Sequence, residues 1–208
     1  IPIAAGMAGG SADAAATLVA CDAFWNAGIP REQLDAMAST LVSDVPFRLH
    51  GGCALGVGRG DVLSPIMTRG TFHWVFATFD EGLSTAQIYE KTDELRGLEF
   101  EAEPEVPTEL LSALARGDSP ALGRLLHNDL QLAATTSRPL LGRVLEQGID
   151  YGALGAIVSG SGPTCAFLVR DESSAIDLVV ALKASGLVDD VLRTHGPVHG
   201  ARVISTSR

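Results

Sequence analysis

The sequence predicts an α+β chain of two domains, and three observations predict it. A glycine-rich loop at residues 2–12 runs straight into an apolar helix, and the hydrophobic patterning changes near residues 68–70. The second half, once a helical insertion is set aside, reads β-α-β-β-α-β, the split βαβ order of ferredoxin-like domains. A chain of 208 residues is long enough for two small domains, each with its own core. With 46 % hydrophobic, 19 % charged and only 5 % aromatic residues, that core is built mainly from Ala, Leu and Val.

The elements follow in order. Ser11 is a good N-cap, and residues 12–27 carry Ala15, Leu18, Val19, Asp22 and Trp25 at helical spacings up to a stop at Gly28. Pro30 opens a second helix over 31–41, with Leu34, Met37 and Ala38 on one face. Residues 53–57 and 61–66 read as strands of a hairpin turning at Gly58-Arg59-Gly60. Residues 71–79 alternate as a strand, and Ser84-Thr85-Ala86-Gln87 is a capping box for a helix ending near Arg96. The acidic run 99–107 reads as a solvated loop, followed by helices over 108–116, 120–134 and 139–147. Strands at 154–158 and 164–169 flank Ser159-Gly160-Ser161-Gly162-Pro163; a helix at 173–185 and closing strands at 188–194 and 201–205 complete the chain. The expected domains are residues 1–69 and 70–208, and no internal repeat is visible.

Several function classes are excluded or disfavoured. A net charge of −10 without clustered Lys or Arg argues against nucleic-acid binding, so any bound phosphate must be held by backbone and a metal. Cys21, Cys53 and Cys165 are odd in number and widely spaced, the pattern of reduced thiols in a cytoplasmic protein. No window offers the ~20 apolar residues of a membrane span. The five histidines make no metal spacing. Only two lysines occur, Lys91 and Lys183, and the chain begins at Ile1 with no strand ahead of its glycine loop; both observations suggest that an N-terminal portion is absent from this sequence.

Three stretches could carry chemistry. Between Gly6 and Ala12 side chains are nearly absent, so the backbone can approach a ligand, and the following helix presents unpaired N–H groups and a positive dipole end. Phosphate is the obvious guest, although glycine also serves bare turns, and the loop lacks the Lys of a P-loop and the preceding strand of a dinucleotide fingerprint. Asp13 reads as a dipole stabiliser in preference to a metal ligand. Asp44, in Ser43-Asp44-Val45-Pro46-Phe47, reads either as a turn residue or as the carboxylate that receives a hydroxyl proton in phosphoryl transfer. Gly160-Ser161-Gly162-Pro163 is either a plain turn or a second backbone loop approaching the transferred group.

Where these three meet, the sequence resembles the GHMP kinases. Residues 2–16 look like that family's second signature, Pro-x-x-x-Gly-Leu-x-x-x-Ser-Ser/Ala-x-Ala-Ala, and residues 158–165 look like its third. AGMAGGSADAA, SDVPF, HGGCALGVGRG and VSGSGPTCAF together narrow the resemblance to the branch that phosphorylates a hydroxyl of a cytidine-diphosphate methylerythritol in non-mevalonate isoprenoid biosynthesis. The resemblance implies the latter part of a ribosomal-S5-like nucleotide domain followed by a ferredoxin-like domain, with ATP and Mg²⁺ as cofactors. It makes Pro2, Ile3, Ala4, Ala5, Gly6, Met7, Ala8, Gly9, Gly10, Ser11 and Ala12 the ATP phosphate loop, with Ser11 near the β- and γ-phosphates and Mg²⁺. It makes Asp44 the catalytic base, and Thr85, Gly160, Ser161 and Gly162 substrate contacts.

Departures exist: Met7 stands where Leu is usual, Ala8 where Gly is frequent, and Ala12 where a second Ser often sits. The family's first signature, with a Lys that partners the Asp, and the aromatic and His residues that grip cytidine lie upstream of the second signature and outside these residues. The expectation is therefore that this chain alone is inactive. Rival readings are another GHMP enzyme such as homoserine or mevalonate kinase, a non-catalytic nucleotide-binding homologue, and a structural subunit completed by another chain.

Overall fold

A computed structural model describes residues 5–97 and 107–204. The chain forms two compact units: residues 1–7 with 68–196, and residues 8–67 with 197–208. The expected division into 1–69 and 70–208 therefore changes at both chain ends. Backbone pairing is the reason. Ala5 and Gly6 bond to the loop at 159–164, while Val198, Gly200 and Ala201 bond to residues 48–52. The predicted acidic loop at 99–107 falls almost wholly outside the described residues.

The larger unit holds a four-stranded sheet in the order β4-β5-β3-β6, with β3 Phe72–Thr78, β4 Gly155–Val158, β5 Cys165–Val169 and β6 Asp190–Gly196. Every pairing is antiparallel: Val75 lies opposite Phe167 and Arg193, and Val158 opposite Cys165. Taken with α4 Thr85–Arg96 and α9 Glu172–Ser185, this is the β-α-β-β-α-β order that the pattern predicts. Between α4 and β4 lie α5 Thr108–Arg116, α6 Ser119–Arg124, α7 Gln131–Ser137 and α8 Leu140–Asp150. Alternation along the strands sends Val75, Ala77, Cys165, Phe167 and Val169 to one face, where they pack with Leu141 and Val144 of α8 and Leu178 and Leu182 of α9.

Two sequence expectations change here. The single helix over 120–134 is two helices, because α6 ends at Arg124 and the chain turns through 125–130 before α7. Gly123 explains the first break: a Cβ there would stand 2.3 Å from the Leu154 carbonyl oxygen, so α6 lies backbone-to-backbone against the start of β4 and cannot shift to continue. Of the expected closing strand at 201–205, the described residues 201–204 are not strand; Ala201 N–H donates to the Arg48 carbonyl, and Gly51 and His199 form an isolated bridge.

The smaller unit has three helices, α1 Gly9–Trp25, α2 Arg31–Leu41 and α3 Val45–His50, and a hairpin of β1 Ala54–Val57 and β2 Val62–Pro65 turning at 58–60 as predicted. Its core is Ala15, Leu34, Ala38, Val45 and Leu49. Helix α1 starts three residues earlier than expected, capped by Ala8 in the left-handed region at φ 51°, so Ser11 lies inside the first turn and is not the N-cap. Its end is also earlier, with Asn26 at φ 51° closing the helix before Gly28 is reached. The Asp22 carboxylate then accepts the Ile29 N–H at 2.9 Å and fixes the turn into α2. No described helix is long and apolar enough to cross a membrane.

Candidate active site

In the larger unit the glycine loop and the 159–163 turn meet. Gly6 sits at φ 72°, and a Cβ there would stand 2.0 Å from the Ser159 carbonyl oxygen, so only glycine fits. The Ser159 hydroxyl donates to the Gly6 carbonyl at 2.8 Å, and Thr164 N–H donates to the Ala5 carbonyl at 3.3 Å. Inside the turn, Gly162 N–H donates to the Ser159 carbonyl at 2.9 Å and Ser159 N–H to the Thr164 carbonyl at 2.8 Å. Ser161 is buried, and its hydroxyl shares a 2.9 Å hydrogen bond with that of Thr85, the first residue of α4. Thr85 itself is exposed, placed by the Ser84 cap whose hydroxyl accepts the Gln87 N–H. Five residues singled out in the sequence, Gly6, Thr85, Gly160, Ser161 and Gly162, are thus brought into one hydrogen-bonded neighbourhood.

Two residues absent from the sequence reading brace the edge strand that leads into this turn, and of the two only Asn128 reaches the turn itself. The Asn128 amide donates to the carbonyls of Val158 and Gly160, both at 2.8 Å, and the Gln131 side-chain oxygen accepts the Val158 N–H at 2.9 Å. The available signal was Asn128-Asp129, a turn-prone pair inside a stretch otherwise read as helix. Cys165, which follows the turn, is fully buried; desolvation pushes its thiol up to about 12, so it stays protonated and unreactive.

The smaller unit holds the other candidates. The N-cap of α1 makes no side-chain cap, and no acidic residue stands in its first turn, so the N–H groups of Gly9, Gly10 and Ser11 have no intrahelical acceptor. Nothing lies within 4 Å of a Cβ built on Gly10, which leaves this end open to a bulky anion. Asp44 is the N-cap of α3, a short helix that the Pro46 context concealed; its side chain is exposed and does not cap the helix, while Val45, Pro46 and Leu49 beside it are buried. The packing of α3 on α1 anchors the Asp44 backbone. Pro2, Ile3 and Ala4 lie outside the described residues. Among the described residues, no group of three or more His, Cys, Asp or Glu is placed to hold a metal ion.

Comparison with known proteins matches two stretches of the chain to two domain families. Residues 1–52 match the family described as the GHMP kinases N terminal domain, and residues 110–187 match GHMP kinases C terminal. The chain belongs to the GHMP kinase family. A 4-diphosphocytidyl-2-C-methyl-D-erythritol kinase of Thermobifida fusca (strain YX) is 55 % identical over 204 residues, covering 98 % of this chain and 66 % of that protein. One from Mycolicibacterium gilvum (strain PYR-GCK) is 52 % identical over 207 residues, covering 98 % and 64 %. This GHMP kinase chain thus spans just under two thirds of the length of these curated relatives. A crystal structure of a 4-(cytidine 5'-diphospho)-2C-methyl-D-erythritol kinase matches with a TM-score of 0.76 at 31 % identity, covering 94 % of this chain and 67 % of that one. A homoserine kinase from Cytophaga hutchinsonii shares the fold at a TM-score of 0.76 with 16 % identity, over 97 % of this chain and 68 % of that one.

Proposed function

We propose that the protein containing this chain transfers the γ-phosphoryl group of ATP to a hydroxyl of 4-(cytidine 5'-diphospho)-2-C-methyl-D-erythritol. The observation that carries this reading is the similarity to kinases of that name at 51 to 55 % identity along almost the entire chain. It carries further than the likeness to homoserine or mevalonate kinases, which at 16 and 17 % identity speaks for fold alone.

The residues support the reading by their chemistry. The uncapped first turn of α1, with Gly9, Gly10 and Ser11 contributing N–H groups and Ser11 a hydroxyl, suits the triphosphate of a nucleotide. Ala8 and Ala12 add small side chains that let backbone approach phosphate, and Met7 completes the loop ahead of them. Mg²⁺ would be held by phosphate oxygens and the Ser11 hydroxyl, where it would neutralise charge on the transferred group. Asp44 accepts the proton of the attacking hydroxyl; an exposed side chain not engaged in capping is free to do so. Thr85, Gly160, Ser161 and Gly162 contact the acceptor, with the half-buried Thr85–Ser161 bond fixing both hydroxyls.

The test is a coupled assay of the protein with ATP and a panel of alcohols: the cytidine-diphosphate methylerythritol, homoserine and mevalonate. Turnover is expected with the first alone. Preference for another alcohol overturns the substrate assignment, and tight ATP binding without transfer to any acceptor overturns the enzymatic reading.

A further inference from the structure

We infer that Asn128 is a positioning residue for phosphoryl transfer, fixing the 159–162 turn and, through it, the backbone against which Gly6 rests. This rests on the kinase reading above, and every contact that carries it lies within the larger unit.

The side chain of Asn128 is fully committed. Its Oδ1 accepts the Leu130 N–H at 3.0 Å, which locks the chain reversal between α6 and α7, and its two Nδ2 hydrogens go to the carbonyls of Val158 and Gly160 at 2.8 Å each. A carboxamide offers two donors and two acceptor lone pairs, so three good bonds leave it a single orientation. β4 is an edge strand, and Asn128 with Gln131 satisfies the outward C=O and N–H of Val158 in place of a neighbouring strand.

The bond to Gly160 does more than close an edge. In a trans peptide the carbonyl oxygen and the following N–H point in opposite directions. Holding the Gly160 oxygen on Asn128 therefore turns the Ser161 N–H to the far side of the turn. No described residue accepts that N–H. Gly160 also faces Gly6: a Cβ on Gly160 would lie 3.2 Å from the Gly6 carbonyl oxygen, the same oxygen that accepts the Ser159 hydroxyl. Rotation of the Gly160 peptide would move both the Ser161 donor and the backbone against which Gly6 rests. An N–H aimed in advance at a developing phosphoryl or alkoxide charge acts mainly in the transition state, so its misalignment lowers kcat more than it raises KM.

Gln131 provides the internal control. It bonds the same edge residue but holds the strand and leaves the Gly160 peptide untouched. Loss of either side chain removes edge bonds; only loss of Asn128 frees the turn.

The experiment compares Asn128→Asp and Gln131→Met with the wild-type protein by steady-state kinetics, thermal unfolding and amide hydrogen exchange. Asn128→Asp keeps the acceptor for Leu130 N–H and replaces the Nδ2 that donates to both carbonyls by a single oxygen facing them. It is expected to lower kcat by about 30-fold or more with both KM values within about threefold, and to speed exchange of the Gly162 N–H by about tenfold while β3 and β5 amides keep their protection. Gln131→Met is expected to change kcat by less than about threefold. The inference is overturned if Asn128→Asp keeps kcat within about twofold, or if both variants lose kcat equally. Should Asn128→Asp not fold, the same readouts on Asn128→Ala decide; if neither folds, the residue serves folding and the inference fails. A wild-type protein that transfers no phosphoryl group fails the kinase reading instead, a separate outcome; hydrogen exchange then decides whether Asn128 sets the turn.

Discussion

The two units differ in how completely they bury themselves. Among the described residues, the main buried cluster of the larger unit has eighteen members, including Phe167, Leu141, Leu178 and Leu182, each essentially without exposure. The smaller unit encloses five, and its longest helix, α1, buries only Ala15 although its sequence is apolar on almost every side. Phe24 and Trp25 at the end of α1 are 85 % and 69 % exposed. A helix without a polar face is normally a buried one, so α1 presents an apolar surface that the described residues leave uncovered. The larger unit holds most of the buried apolar core, whereas the smaller holds the groups to which the proposed function gives the chemistry, Asp44 and the amides that open α1.

Substitutions separate these contributions, and the largest effect is expected on rate. Asp44→Ala should lower kcat by about 10² to 10⁴-fold, the usual range for a lost general base, with ATP binding retained. Steady-state kinetics checks this, and a loss of ATP affinity with kcat intact would contradict the assignment. Because the Asp44 side chain makes no cap bond, the unfolding midpoint should barely move.

The converse belongs to the larger unit. Phe167→Ala empties a fully buried site between α8 and the sheet and should cost about 3 to 5 kcal/mol in urea unfolding. A cost below about 1 kcal/mol would mean that the core collapses around the vacancy and that the contrast between the units is weaker than drawn.

A smaller effect is expected at the start of α9. The Asp171 carboxylate accepts both the N–H and the hydroxyl of Ser174, and these bonds hold its carboxyl below the ordinary range. The charged form is the one favoured by folding. Its contribution is therefore present above the unfolded value of about 3.9 and fades as pH falls through the lower folded value. Asp171→Ala should lower the melting temperature at neutral pH, and the gap from wild type should close under acid conditions; a gap that persists unchanged would show that the bond, not the charge, matters.

Least of all should change with Phe24→Ser, whose stability effect is expected within about 0.5 kcal/mol, because little is packed against that ring. Binding of an environment-sensitive dye should fall in the same variant. A loss of more than about 2 kcal/mol would show that the end of α1 is covered in solution.

Much of the fold was legible in the chain. The periodic stretches 31–41 and 108–116 coincide with α2 and α5, and Ser84 caps α4 as its motif requires. What failed were features with competing local signals. Ser11 has the side chain of an N-cap, yet Ala8 takes that place because the chain leaves Gly6 already turned against Ser159. Residues 125–130 have helical hydrophobic spacing, yet Asn128 finds three partners outside a helix.

By itself the sequence determined the type of most elements, the ferredoxin-like order of the larger unit and the two glycine loops with their kinase signatures, because periodicity and backbone permissiveness are local properties. Only the tertiary structure decided that the chain ends exchange units, that Gly6 rests on the 159–162 turn, and that Asn128 holds that turn from behind. Such contacts join residues more than a hundred positions apart or depend on a single side-chain orientation, and nothing in local composition encodes either.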